Sequence, residues 1–280
     1  KRIRTENQRK TLLLLKKGSY YCKELSQKIG VSDVTMYAIL KDFLQKDIAC
    51  RFTASEVSYM GRKPIKYTLN KDYGIFAAVD FTMPTLKLCL HDIFGNKLAA
   101  EQFPIVMPVR QSDLKKCCER LKTLIAESGA SAPLRNICIS TPGRINPKTD
   151  KFIVAAIYEN ATEINLKKLF QDEFGCTVFV KNNLYLACNG EINKYNLFDE
   201  KDLLYLYVGD SIGGAMRVNG KIRNGSNNLA GEIAFSRTFD NKPISYNLSP
   251  EYLLDKYFGK AEKAGEKERI NHTFGDVLRL

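Results

Sequence analysis

Imidazole is nearly missing from this chain. His91 and His272 are its only histidines in 280 residues, which leaves a zinc site few nitrogen ligands to draw on. Also absent is any Cys-x-x-Cys pair among Cys22, Cys50, Cys89, Cys117, Cys118, Cys138, Cys176 and Cys188. Neighbouring cysteines on one helix, such as Cys117 and Cys118, do not readily bridge each other. The apolar surroundings of most of the eight mark them as reduced core thiols rather than disulfide partners or metal ligands. No apolar run approaches the ~18 residues of a membrane span. The opening "KRIRTENQRKTLLLLKKG" breaks its leucine run with lysines before a signal-peptide core can form. These absences predict a soluble, cytoplasmic protein with no membrane partner.

What the chain does have is length, apolar content and an uneven charge. With 280 residues and 44% apolar side chains it can bury more than one core, and domains of roughly 100–200 residues make two or three the expectation. Residues 1–72 hold 16 Lys and Arg against 7 Asp and Glu, a net of +9, and the rest hold 27 against 24, a net of +3. A compact module with that field attracts a polyanion, and phosphate neutralisation supplies affinity independent of sequence. A solvated surface with surplus lysine fits the charge equally well, so pattern has to decide.

In the first quarter, "ENQRKTLLLLKKG" reads as a helix ending at Gly18, and "CKELSQKIG" as a second with Gly30 as its left-handed cap. "VSDVTMYAILKDFLQKDI" begins a third helix with Ser32 as N-cap. Two short helices joined by "GVS" make a helix-turn-helix. Met36, Ile39, Leu40 and Phe43 fall on one face of the third helix, leaving Asp33, Thr35, Tyr37 and Lys41 outside. With Ser32, these are the candidates for DNA contact, since the start of a recognition helix carries most base contacts. "ACRFTASEVSYMGRKPIKYTLN" follows as two strands around a polar turn. A hairpin there is the wing of a winged helix, with Arg62 and Lys63 against a phosphate or minor groove and Pro64 stiffening the approach. A small three-helix protein-binding domain is the alternative.

From Tyr73 the texture changes. "GIFAAVDFTMPTLKLCLHDIFGNKLAAEQFPI" predicts a three-stranded meander, and "SDLKKCCERLKTLIAESG" an amphipathic helix. Strand, helix, strand, helix follow in "NICISTPGRIN", "LKKLFQDEFG", "TVFVKNN" and "LYLACNGEINKY", before a second meander in "DLLYLYVGDSIGGAMRVNGKIRNG". Repeated meanders with strand-helix alternation imply an α/β domain in two similar lobes with a cleft between them.

The order of "GRKPIKYTLN", "AVDFTMPTLKLCLHDIFGN", "ISTPGRINPKTD", "VKNNLYLACNGE" and "LYVGDSIGGAMRVNGKIRNGSNNLAGEIAF" resembles the ROK (repressor, open reading frame, kinase) proteins, of the xylose-repressor and N-acetylglucosamine-repressor type. The resemblance covers nearly the whole chain. It implies an N-terminal winged helix-turn-helix over residues 1–72 and, over residues 73–280, an α/β two-lobed domain of the actin-like ATPase (ribonuclease H-like) fold. It implies a homodimer or homotetramer and a double-stranded DNA operator. The ending "NHTFGDVLRL" resembles the start of a helix after which the family continues. The second lobe is therefore expected to be incomplete in this chain, by truncation or by loss of part of the lobe.

The same resemblance implies where chemistry has been lost. Sugar kinases of this group carry an Asn-Asp pair at a strand-helix junction, the Asp removing a proton from the attacking sugar hydroxyl. Here the pair is Asn182 and Asn183, and an amide has no basic site near neutral pH, which forfeits roughly 10²–10⁴ in rate. In place of the family's Asp-x-Gly-Gly-Thr phosphate loop stands Asp80-Phe81-Thr82-Met83-Pro84, bulkier and short of an N–H. The second loop is Gly209-Asp210-Ser211-Ile212-Gly213-Gly214, where a carboxylate about 4 Å from a phosphate charge costs about 4 kcal/mol at an effective dielectric of 20. No nucleotide cofactor is expected. Phe235 stands where many members have a zinc-binding histidine, and the cysteine cluster after it is missing, so no metal is expected either. Gly143, Asn182, Asn183 and Glu232 match the family's sugar-contacting positions and offer a polyol paired donors and acceptors, although a turn glycine, a helix cap and a folding carboxylate explain them too. The expectation is a DNA-binding repressor, not an enzyme, whose kinase-like domain serves oligomerisation and carbohydrate sensing. The alternatives are a sugar kinase with an accessory DNA-binding domain, and a regulator whose second domain binds only protein.

Overall fold

The computed structural model describes residues 2–53, 64–82, 84–146, 148–209, 212–225, 228–238 and 241–247. Arg62, Lys63, Met83, Asp210 and Ser211 lie outside the described residues, as does the segment after residue 247. The chain divides into two compact units, one of Lys1–Ile139 with Leu166–Val180, the other of Ser140–Asn165 with Lys181–Leu280.

The first unit opens with helices α1 (Arg2–Lys17), α2 (Cys22–Ile29) and α3 (Asp33–Gln45). Gly30 ends α2 because its left-handed backbone, φ 77°, turns the following N–H, of Val31, back onto the Ser26 carbonyl at 3.0 Å. Ser32 starts α3, its hydroxyl accepting from the Thr35 N–H at 3.2 Å. Strands β1 (Tyr20–Tyr21), β2 (Ala49–Thr53) and β3 (Ile65–Leu69) form one antiparallel sheet in the order β1-β3-β2. Two-residue β1, set between α1 and α2, had no alternation to announce it; its pairing of Tyr20 with Tyr67 supplies the third strand. Leu15, Leu25, Met36, Leu40 and Tyr67 are buried together in one core. The turn at Asp92–Asn96 lends that core Ile93 and Phe94, which pack against it.

The rest of this unit is built on β4 (Ile75–Asp80), β5 (Thr85–His91), β6 (Lys97–Pro104), β7 (Leu134–Thr141) and β10 (Thr177–Asn182), in the sheet order β10-β7-β4-β5-β6. Alternate residues of β4 and β5 are buried, as a half-covered strand demands, with Val79, Leu86 and Leu90 fully enclosed. Helix α4 (Gln111–Glu127) buries Leu114, Cys117, Cys118, Leu121 and Leu124 on one stripe. Arg120 on α4 pairs with Glu101 on β6, and Lys122 reaches Glu173 on α5 (Leu166–Phe174) at 2.5 Å.

The second unit contains a two-stranded hairpin of β8 (Arg144–Ile145) and β9 (Phe152–Val154), then α6 (Asn183–Lys194) and the antiparallel sheet β11 (Leu203–Val208), β12 (Ile212–Val218) and β13 (Lys221–Arg223). The β8–β9 hairpin was not foreseen, because its strands are too short to show alternation. Tyr185, Cys188 and Ile192 of α6 pack with Ala215 and with Leu203 and Tyr205 on one face of the sheet. Buried Arg217 donates to the carbonyls of Leu197 at 2.7 Å and Phe198 at 3.1 Å, which pins the loop after α6 to that sheet.

Candidate functional site

Two groups of predicted residues can be located, and each sits within one unit. In the first, α3 turns Met36, Ile39, Leu40 and Phe43 into the core and leaves Asp33, Val34, Thr35, Tyr37, Ala38 and Lys41 exposed. The first-turn polar groups are already engaged. Ser32 and Thr35 hydroxyls share a hydrogen bond of 2.9 Å, and the Asp33 carboxylate accepts from the Ser26 hydroxyl of α2. Asp33 thereby fixes the angle between α2 and α3, and it is the residue of this set whose polar group faces the fold. Asp42 is bonded by Gln8 of α1 at 3.0 Å and Lys46 at 2.9 Å, so its charge is offset. Val34, 81% exposed, was not picked out from the sequence, because an aliphatic residue carries no charge or polar signal to mark it. On β2, Arg51 and Phe52 face solvent, and the predicted Arg62 and Lys63 lie outside the described residues.

In the second unit the ligand candidates converge in part. Asn182 caps α6, its carbonyl oxygen accepting from the Leu184 N–H at 2.9 Å while its amide donates to the Gly143 carbonyl at 3.3 Å. Both ends of that side chain serve the backbone. Gly143 has φ 105°, and a Cβ there would stand 2.6 Å from the Ala155 Cβ, so the approach of β9 alone requires glycine. Asn183 is half-buried, and its amide has no hydrogen bond among the described residues. Tyr185 donates to the Ala230 carbonyl at 3.0 Å. Its hydroxyl is pushed above the usual tyrosine range by burial and, second, by the charge of Glu232. Glu232 therefore acts on Tyr185 of α6, and neither it nor Asn183 has a side-chain hydrogen bond among the described residues.

The loops that resemble phosphate-binding segments have other occupations. In the first unit, the Thr82 hydroxyl donates to both oxygens of Asp80, at 2.8 and 2.9 Å. The Thr85 N–H closes a tight turn onto the Thr82 carbonyl at 3.1 Å, and Phe81 is fully buried. In the second unit, Gly213 and Gly214 lie inside β12, not in a loop, since Val208 pairs directly with Ile212. A Cβ on Gly213 would collide with Leu184 of α6, and one on Gly214 would meet the Tyr205 carbonyl at 3.0 Å. Those glycines are explained by close packing. Among the described residues, no group of three or more His, Cys, Asp or Glu could hold a metal ion, and no helix is long and apolar enough to cross a membrane. All eight cysteines are free thiols, and Cys118 is pushed up to about 11 by burial first and then by the charge of Glu173.

Comparison with known proteins places these observations. Residues 76–245 match a family model described as the ROK family. An uncharacterised protein of Clostridium perfringens (strain 13 / Type A) is 33% identical over 58% of this chain and 54% of its own. A xylose repressor of Staphylococcus xylosus is 22% identical over 99% of this chain and 72% of its own, and a beta-glucoside kinase of Listeria monocytogenes is 28% identical over 61% and 59%. Among solved structures, a ROK family transcriptional regulator described as a homologue of the E. coli MLC protein superposes with TM-score 0.76 at 17% identity, over 99% of this chain and 73% of that one. A ROK hexokinase from Thermus thermophilus gives TM-score 0.53 at 16% identity, over 65% and 62%. The chain spans about half the length of the curated relatives it matches first.

Proposed function

Because the chain belongs to the ROK family, whose model spans more than half of it, we propose that it is a DNA-binding transcriptional regulator acting as a repressor in the cytoplasm. The observation that carries this reading is the extent of the likenesses. Likeness to the Staphylococcus xylosus xylose repressor and to the ROK regulator runs through 99% of the chain, residues 1–72 included; two other xylose repressors match 62%, and the beta-glucoside kinase and the hexokinase 61% and 65%. Residues 1–72, which both of the 99% likenesses take in, carry a net charge of +9. There α2, the left-handed turn and α3 form a helix-turn-helix, and β2–β3 the wing, of a domain over residues 1–72, with residues 73–280 as the kinase-like domain.

Thr35, Tyr37 and Lys41 are the groups offered to duplex DNA, with Ser32 and Asp33 holding α3 in place. Arg62 and Lys63 are assigned to the backbone by their position in the wing. Titration of random duplex at several salt concentrations tests the reading. Lys41→Ala should weaken binding to every sequence and make the salt slope shallower by about one unit. A native chain that binds no duplex at low salt overturns it.

The kinase-like domain serves oligomerisation, as homodimer or homotetramer, and senses a sugar or sugar derivative through Asn183 and Glu232, with Asn182 and Gly143 shaping the pocket wall. Support comes from the polar groups of Asn183 and Glu232, which the fold leaves unassigned among the described residues. Sugar phosphorylation is the less favoured function. The Asp80–Thr82 closure and the lack of a carboxylate at 183 argue against it.

A further inference from the structure

Resting on the DNA-binding reading above, we infer that Val34, with Ala38 and the ring of Tyr37, reads thymine methyl groups in the major groove. Val34 is 81% exposed and Tyr37 56% exposed. With Ala38 they sit at i, i+3 and i+4 on α3, and exposed Lys41 continues the same stripe one turn on. An apolar face that ends in a lysine, on a segment with net charge +9, is complementary to a duplex: the cation meets phosphate and the methyls meet the groove floor.

The polar first-turn groups beside Val34 have hydrogen bonds within the fold. Ser32 and Thr35 are bonded to each other, and Asp33 is bonded to Ser26, while the Val34 side chain among them is exposed and aliphatic. In the major groove the apolar feature available to it is the C5 methyl of thymine, which separates T·A from the other pairs. A donor or acceptor on a base edge facing Val34 would instead lose its water without gaining a partner.

The test starts from sites selected by the full chain out of a randomised duplex library. Each thymine is then replaced by uracil, which removes only the methyl. Affinity of the native chain should fall about fourfold at one or two positions per half-site, the worth of one buried methyl. Val34→Ser, at a surface position where folding is not at stake, should abolish the thymine-over-uracil preference at one of those positions, and Ala38→Gly should reduce it at a neighbour. Selected sites without thymine, uniform tolerance of uracil, or an unchanged preference in Val34→Ser would each overturn the inference while leaving DNA binding intact. Failure to bind any duplex would overturn the DNA-binding reading and this inference together. That outcome, coupled with capture of a protein partner that Val34→Ser abolishes, would reassign the face to protein contact.

Discussion

On α3, packing is carried by Met36, Ile39, Leu40 and Phe43, and the opposite side leaves Tyr37 and Lys41 in solvent with Val34 beside them. At the start of α6 the distribution is different: Asn182 commits both ends of its amide to the Leu184 N–H and the Gly143 carbonyl. The β4–β5 turn of the first unit behaves like α6, with Thr82 closed onto Asp80. Two regions of one chain thus treat polar groups in different ways. The N-terminal one separates inside from outside on α3, leaving Tyr37 and Lys41 in solvent while Ser32, Asp33 and Thr35 are bonded. At Asn182 and at Thr82 the other region commits its polar groups to internal bonds.

The largest effect that could break this contrast is on stability. Leu40 is fully buried in the core of the first three helices. Leu40→Ala should cost about 2–5 kcal/mol, whereas Tyr37→Ala or Lys41→Ala on the other side of the same helix should stay within about 0.5 kcal/mol. Urea unfolding followed by circular dichroism measures both. A large loss on the outer side would mean that α3 is packed all round and has no free face to offer.

A smaller effect is expected at Asn182. Asn182→Ala removes a helix cap and the link to the carbonyl of Gly143, 39 residues away in sequence, and should lower stability by about 0.5–2 kcal/mol. If stability holds while affinity for a confirmed sugar collapses, Asn182 belongs to ligand recognition, and the contrast between the two regions narrows.

Much of this fold could be read in the residues. The three helices with Ser32 and Gly30 at their ends, both meanders and the strand-helix alternation follow from period and capping chemistry, which are local. What escaped is long-range or short in extent. The two residues of β1 gain meaning only from pairing with β3, and β8–β9 only from a close approach that forces glycine at 143. At the site, the residue types were legible but their engagement was not. Asp33 looked free for a base until its bond to Ser26 was located, and Val34 gave no signal until its exposure was. By sequence the glycines at 213 and 214 belong to the second loop, yet they lie in β12 against Leu184 and the Tyr205 carbonyl.

The smallest expected effect is the sharpest test of the second of the two regions. Asn183→Asp restores at one position the carboxylate that the resemblance to sugar kinases calls for, and a positioned general base is worth roughly 10²–10⁴ in rate. Turnover of ATP with hexoses and amino sugars should nonetheless remain at background in both the native chain and the variant. A base acts only on a hydroxyl already in line with a held phosphoryl group, and catalysis of that transfer is mainly positioning and charge stabilisation. Among the described residues of the β4–β5 turn, Pro84 lacks an N–H, the Thr85 N–H is bonded to Thr82, and the Thr82 hydroxyl is held by Asp80. Opening that turn would cost its hydrogen bonds before any phosphate contact formed. Turnover appearing in Asn183→Asp alone would show that a single amide separates this chain from a kinase, and the β4–β5 closure would then have to be reversible.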